Sequence, residues 1–113
     1  MDNAALMQRV DALLSHVWMV RTFVKHSEEA AEDDELAEVH RELYDYLLAL
    51  GPTLQAGDAD GYLHVARKKL GRLQKATELF LAIQPEISTH TNFQMAARSL
   101  RTAVAEIDAL LKS

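Results

Sequence analysis

The chain has 113 residues, of which 49% are hydrophobic and 26% charged, and its formal net charge is −5. This length predicts one domain over residues 1–113 with one continuous core, and the lack of cysteine excludes disulfides, thiolate metal sites and a cysteine nucleophile. No apolar run approaches the roughly 20 residues that span a bilayer, and the first residues lack the basic region of a secretory signal. We therefore expect a cytoplasmic protein with no membrane partner.

Apolar residues recur in alternating steps of three and four along four stretches of the chain. Because a helix turns about 100° per residue, such spacing places each set along one narrow seam of a helix. The seams are, in chain order, Leu6, Val10, Leu13, Val17, Val20 and Val24; Leu36, Val39, Leu43, Tyr46 and Leu50; Leu63, Ala66, Leu70, Leu73, Thr77 and Phe80; and Phe93, Ala97, Leu100, Val104, Ile107 and Leu111. Four seams joined by short connections predict an all-α fold, an antiparallel up-down-up-down four-helix bundle.

The connection between the first two predicted helices contains neither Gly nor Pro. With Ser27 as the N-cap of the second helix, the acidic residues that follow lie at the positive end of its dipole, and Lys25 closes the first helix favourably. We therefore predict that the second helix begins after Ser27, within a boundary range from His26 to Asp34.

Glycine, proline and aspartate mark the other connections. Gly51 followed by Pro52 predicts the end of the second helix. In the turn from Gly57 to Gly61, an Asp side chain can accept hydrogen bonds from the free amides that open the third helix. Pro85 separates the third and fourth helices, and two alternatives stay open: Pro85 opens the fourth helix, or Ser88 caps it.

Charge is distributed unevenly along the chain. Residues 1–50 carry 4 basic and 11 acidic side chains, net −7, whereas residues 51–113 carry 8 and 6, net +2. A solvated surface, with basic residues 67–75 pairing partly to Glu42 and Asp45, explains this pattern, and a polarised body that docks a charged partner is the alternative. Because the basic patch is short and lacks interleaved aromatics, we expect no nucleic-acid partner.

The first predicted helix carries more apolar surface than one seam requires. Met7, Leu14 and Trp18 form a second stripe, and Tyr44 and Leu48 extend it onto the second helix. A helix that is apolar on most sides is usually covered on most sides, here either by the bundle itself or by a second copy. The hypothesis is a homodimer whose self-association face, centred on Trp18, comprises these five residues.

Histidines are the only candidates for chemistry. Glu86 and His90 are four residues apart, on one face if the fourth helix includes both, and His26 and Glu29 lie at the same end of the predicted bundle. Nitrogen and oxygen ligands of this kind suit Zn or Fe. The alternative function is therefore a metal- or small-ligand-binding bundle with its site at His26, Glu29, Glu86 and His90. The bundle lacks the Glu-x-x-His pairs of di-iron proteins, and a lone His beside a seam is more often a hydrogen-bonded boundary residue.

His64 offers a more remote alternative. The bundle size and the run His64-Val65-Ala66-Arg67-Lys68 resemble histidine phosphotransfer domains, in which an exposed His is followed by a basic residue and a small Gly. Here Lys68 stands four residues after His64, and Gly71 comes later. The resemblance implies a signalling module that carries a phosphoryl group.

Other catalytic motifs are missing: the sequence has no Gly-rich phosphate loop, no His-Glu-x-x-His and no nucleophile elbow. We therefore predict an interaction or assembly module without catalytic activity and without a cofactor, whose partner is a protein.

Overall fold

Helices account for nearly all of residues 1–112, the part of the chain that this computed structural model describes. Within that range lie five helices and no strand: α1 (Asn3–Lys25), α2 (Glu28–Glu32), α3 (Asp34–Ala56), α4 (Ala59–Ile87) and α5 (Thr91–Lys112). The four long helices give the molecule extents of 41 × 22 × 19 Å. The predicted all-α class is confirmed, with α2 as a short additional helix.

The core consists of the seams that the spacing of apolar residues predicted. Every residue of the four seams is buried, and all except the polar Thr77 belong to one continuous hydrophobic cluster. Fully burying a Val, Leu, Ile or Phe side chain contributes about 1.5–3 kcal/mol relative to leaving it in water. Because each helix presents such a stripe along its length, mutual burial of the stripes holds the long helices together.

The distances between helix backbones show which helices are neighbours. α1 packs against α3 and α5, and α4 packs against the same two helices. Residue numbers along α1 rise as those of their partners in α5 fall, as three contacts show: Arg9 with Glu106 at 3.3 Å, His16 with Ser99 at 3.1 Å, and the rings of Phe23 and Phe93 with centroids 5.0 Å apart.

The first connection holds two helix caps. Ser27 Oγ accepts a hydrogen bond from the Ala30 amide at 3.2 Å, and Asp33 Oδ1 accepts one from the Leu36 amide at 2.8 Å. Ser27 therefore begins only α2, and the prediction that it begins the long second helix is wrong. The backbone of Asp33 is extended and its carboxylate accepts a hydrogen bond from the free Leu36 amide, so the helix is interrupted there. The boundary still falls within the predicted range.

Pro52 lies inside α3, so the predicted helix end at this proline is wrong. Pro52 is exposed to solvent, and Leu54 beyond it packs against the core, which keeps the last turn helical. α3 ends instead at Gly57, whose φ of 66° is left-handed and favours glycine. The next predicted cap is confirmed, since Asp58 Oδ1 accepts from the Gly61 amide at 2.9 Å.

Pro85 lies in the last turn of α4, and Ser88 follows as the C-cap of that helix. Both alternatives for the start of the last helix are therefore wrong. Ile87 packs against the core beyond the proline and keeps the turn helical. The α5 helix begins after His90, whose Nδ1 accepts a hydrogen bond from the Asn92 amide at 3.0 Å.

No helix within residues 1–112 is both long enough and apolar enough to cross a membrane.

Candidate interaction face

Large apolar side chains reach the surface where α1 and α3 meet. Trp18 is 45% exposed and Leu48 is 53% exposed, and the half-buried Tyr44 lies one helical turn before Leu48 on α3. The ring centroids of Trp18 and Tyr44 are 6.2 Å apart, with the ring planes tilted by 46°. We call the surface formed by Trp18, Arg21, Tyr44 and Leu48 the α1–α3 face.

Met7 and Leu14 do not lie on this face, which corrects the sequence-based prediction. Each is only 4% exposed and belongs to the hydrophobic core. The α1 helix contacts α3, α4 and α5, so neighbouring helices cover a wide arc of its surface. The second apolar stripe of α1 is therefore divided: its first part serves the core, and only Trp18 reaches solvent.

Arg21 is the most unusual residue of the α1–α3 face. It is only 8% exposed, and its guanidinium carbon lies 4.1 Å from the centre of the Tyr44 ring and 5.4 Å from that of Trp18. Its Nε is buried without a hydrogen-bond partner, and within residues 1–112 no carboxylate forms an ion pair with it. Stacking over aromatic rings stabilises such a cation by about 0.5–2 kcal/mol. The two rings therefore take the place that an acidic partner usually holds beside a buried arginine.

Three permanent positive charges lie around His40. Burial, followed by the charges of Arg41, Arg21 and Lys25, lowers the pKa of His40 below its ordinary value of 6.5. Neither Lys25 nor Arg41 forms an ion pair with a carboxylate of residues 1–112. We call Arg21, Lys25 and Arg41, together with the neighbouring His40, the cationic cluster; its three permanent charges form a positive patch on a chain whose net charge is −5.

An acidic residue precedes Trp18 along α1, whereas Lys25 follows it. Asp11 is half-buried, and its Oδ1 accepts a hydrogen bond from the Tyr62 hydroxyl at 3.1 Å. Burial is the main reason why the pKa of Tyr62 is raised, and the Asp11 charge adds to the effect. Asp11 is seven residues before Trp18, two turns along the same side of α1.

The four residues of the predicted metal site meet only in part. Glu29 and Glu86 line one groove of about 320 Å³, but neither His26 nor His90 lines it. Glu86 belongs to α4 and His90 precedes α5, so the premise that one helix carries both is wrong. Within residues 1–112 no group of three or more His, Asp and Glu side chains is placed to hold a metal ion.

His64 is exposed on α4, and Lys68, one turn later, is exposed as well. The bulky side chain therefore stands where the resemblance to phosphotransfer domains requires a small residue. The phosphotransfer alternative stays a prediction.

The basic residues of α4 face the acidic side of α3. Arg72 lies 3.4 Å from the Glu42 carboxylate, and Lys69 and Asp45 line the same small groove. The predicted pairing of this patch with Glu42 is confirmed. Because this pair is solvent-exposed, it contributes at most about 1 kcal/mol.

A second apolar surface lies between α1 and α5. Met19, Phe23 and Met95 line a shallow groove of about 330 Å³, and Met95 is 43% exposed. The seams and the second stripe predicted from the sequence include none of these three residues. Met95 lies two residues after the seam residue Phe93 and so outside that seam, and only the approach of α5 to α1 brings it to this groove.

No protein-family model, curated protein or solved structure matches the chain.

Proposed function

We propose that the chain is a protein-interaction module that assembles as a homodimer through the α1–α3 face. The observation that carries this proposal is Trp18, a large apolar side chain that is 45% exposed and lies beside a buried Arg21 that forms no ion pair within residues 1–112. Tryptophan, tyrosine and arginine are the residue types that dominate binding energy at protein interfaces, and all three meet here. Leu48 extends the apolar area along α3.

We also infer that the four long helices form an up-down-up-down antiparallel bundle, with α2 as part of the first connection. The contacts between α1 and α5 support this arrangement, because residues later in α1 contact residues earlier in α5. On the opposite side of the molecule, Tyr46 on α3 donates to the Ala66 carbonyl on α4 at 2.9 Å. The α1–α3 face is then a rigid surface of two packed helices, as an assembly module requires.

The proposed role needs no catalysis, no cofactor and no nucleic acid, and it is placed in the cytoplasm, as the sequence predicts. A surface of two packed helices can act by binding alone, so the module connects protein chains.

The oligomeric state tests the proposal. Light scattering after size exclusion, combined with sedimentation equilibrium over a wide concentration range, is expected to show a mass twice that of one chain. Trp18 is the only tryptophan, so its fluorescence reports on the face directly. Its emission is expected to move to shorter wavelength as concentration rises, because dimerisation removes the indole from water. A monomer at high concentration overturns the proposal.

Matched variants locate the interface. Trp18→Ala and Leu48→Ala are expected to weaken the dimer, Trp18→Ala by about 2 kcal/mol or more if the indole is a central anchor. Met95→Ala is the control, because Met95 is comparably exposed but lies in the groove between α1 and α5. If Met95→Ala dissociates the dimer and Trp18→Ala does not, the α1–α3 face is the wrong surface.

The metal- or ligand-binding alternative is supported by one observation, the shared groove of Glu29 and Glu86. Metal analysis of untagged protein tests it, with Glu86→Gln and His90→Ala as variants. Stoichiometric metal that both substitutions remove would support the alternative, and its absence from untagged protein would contradict it.

A further inference from the structure

We propose that the two copies of the dimer pack their α1 helices antiparallel about Trp18, so that Lys25 of each copy binds Asp11 of the other. This inference rests on the proposed dimer and specifies its geometry. It follows from where Asp11 and Lys25 lie along α1 relative to Trp18.

A twofold dimer through one face allows two simple arrangements of the helices, because the symmetry axis lies in the plane of that face. If the axis runs along α1, the two copies point the same way, and α1 of one copy lies over α3 of the other. If the axis runs across α1, the copies point in opposite directions, and α1 lies over α1.

The cationic cluster disfavours the first arrangement. Residues at the same level of the bundle would meet, so Arg21 and Lys25 of one copy would face His40 and Arg41 of the other. Within residues 1–112 no carboxylate pairs with the three permanently charged members of this cluster. Like charges brought together at an interface cost several kcal/mol, so this arrangement would be repelled.

The second arrangement brings opposite charges together. When two α1 helices cross antiparallel at Trp18, residues equally distant from Trp18 on either side come face to face. Lys25 is seven residues after Trp18 and Asp11 is seven residues before it, so each Lys25 meets an Asp11. Seven residues are two helical turns, which keeps all three side chains on one side of the helix.

The environment of each partner fits this pairing. Lys25 is exposed and ends α1, with no ion pair of its own among the described residues. The Tyr62 hydroxyl binds Asp11 Oδ1 and so orients the carboxylate without neutralising its charge.

Charge reversal tests the pairing, with the dimer dissociation constant measured by sedimentation equilibrium. Lys25→Glu and Asp11→Lys are each expected to weaken the dimer about tenfold, since every reversed charge acts twice in a symmetric dimer. The double variant D11K/K25E restores opposite charges and is expected to return the constant to near the wild-type value. An equal mixture of the two single variants is expected to form heterodimers, because both of its pairs are attractive.

Neutral variants separate pairing from folding. Lys25→Gln removes the pair without adding repulsion, and Asp11→Asn keeps an acceptor for the Tyr62 hydroxyl. Both are expected to weaken the dimer less than the charge reversals do. Circular dichroism melts of each variant verify that the fold is retained.

The outcomes distinguish this geometry from the dimer itself. A wild-type dimer that Lys25→Glu leaves unchanged overturns the antiparallel pairing but not self-association. A dimer that Lys25→Glu tightens overturns it in favour of the parallel arrangement, where the substitution relieves repulsion. A wild-type chain that stays monomeric overturns the proposed function, and the pairing with it.

Discussion

The guanidinium of Arg21 lies over the ring of Tyr44, with its carbon 4.1 Å from the ring centre. This contact joins α1 to α3 through a cation that is 8% exposed and that no carboxylate of residues 1–112 neutralises. The aromatic ring offers its negative face to the cation, but burial of Nε without a partner works against the contact. Arg21 therefore stabilises the fold mainly by packing its stem.

Replacing Arg21 with Met tests that interpretation. Met keeps most of the stem volume and removes the buried charge, so we expect the free energy of unfolding to change by less than about 1 kcal/mol. Arg21→Ala removes the stem as well and is expected to lower that free energy by about 2 kcal/mol. Urea denaturation at one fixed protein concentration measures both, because dimerisation would make stability depend on concentration. Equal losses for Met and Ala would show that the charge stabilises the fold.

His40 predicts a pH dependence of stability. Its pKa is lowered in the folded protein, first by burial and then by Arg41, Arg21 and Lys25, whereas in the unfolded chain it stays near 6.5. As pH falls below 6.5 the unfolded chain binds the proton more readily, so the free energy of unfolding decreases until pH has fallen through the folded-state pKa. His40→Gln cannot take up the proton.

We therefore expect wild-type protein to lose more stability than His40→Gln between about pH 7.5 and pH 5.5. Urea denaturation at several pH values measures the difference, and the other four histidines contribute equally to both proteins. Parallel curves for the two proteins would contradict the prediction.

His90 predicts a stability effect at the start of α5. Its Nδ1 accepts from the Asn92 amide at 3.0 Å, so the imidazole acts as an N-cap. His90→Ala is expected to lower the free energy of unfolding by about 1 kcal/mol, whereas His90→Asn supplies another acceptor and is expected to retain most of the stability. Thermal melts followed by circular dichroism at pH 7.5 or above compare the three proteins. An alanine variant as stable as the asparagine variant would show that the hydrogen bond contributes nothing.

Alanine substitutions at two glycines are expected to change the free energy of unfolding in opposite directions. Gly57 ends α3 with a φ of 66°, a conformation that strains other residues, so Gly57→Ala is expected to lower the free energy of unfolding by about 1 kcal/mol. Gly71 is an exposed residue inside α4, and Gly71→Ala is expected to raise it by up to about 1 kcal/mol. An added Cβ would meet no atom within 4 Å at either position, so the two substitutions differ in their effect on stability only through the backbone conformation at each site. Urea denaturation that gives the same sign for both would contradict the prediction.

The core could be predicted because helical spacing is a property of the sequence itself. Val10, Leu43 and Leu100 come from three different seams, and each is completely buried. A seam is defined by five or six residues, so an error at one helix end does not displace it. The helix ends were harder to predict, since proline usually ends a helix, yet α3 continues past Pro52 and α4 past Pro85, where Leu54 and Ile87 pack against the core.

The candidate face was predicted only in part, because the spacing of residues along one helix does not show which of them a neighbouring helix covers. Leu14 and Trp18 are one turn apart on the same stripe, but Leu14 is in the core and Trp18 reaches solvent. Residue type and spacing do not separate them, because exposure depends on how far the neighbouring helices cover α1. The stacking of Arg21 on Tyr44 joins residues 23 positions apart, a distance over which no local pattern in the sequence operates.

The sequence by itself determined that this protein is helical and which stripe of each long helix is buried, because both depend on a period of about 3.6 residues along the chain. Only the tertiary structure decided which of the remaining apolar and charged side chains meet at the surface. That selection depends on the order and spacing of whole helices around the core, which brings Trp18, Arg21 and Tyr44 together and separates His26 and His90 from the groove of Glu29 and Glu86.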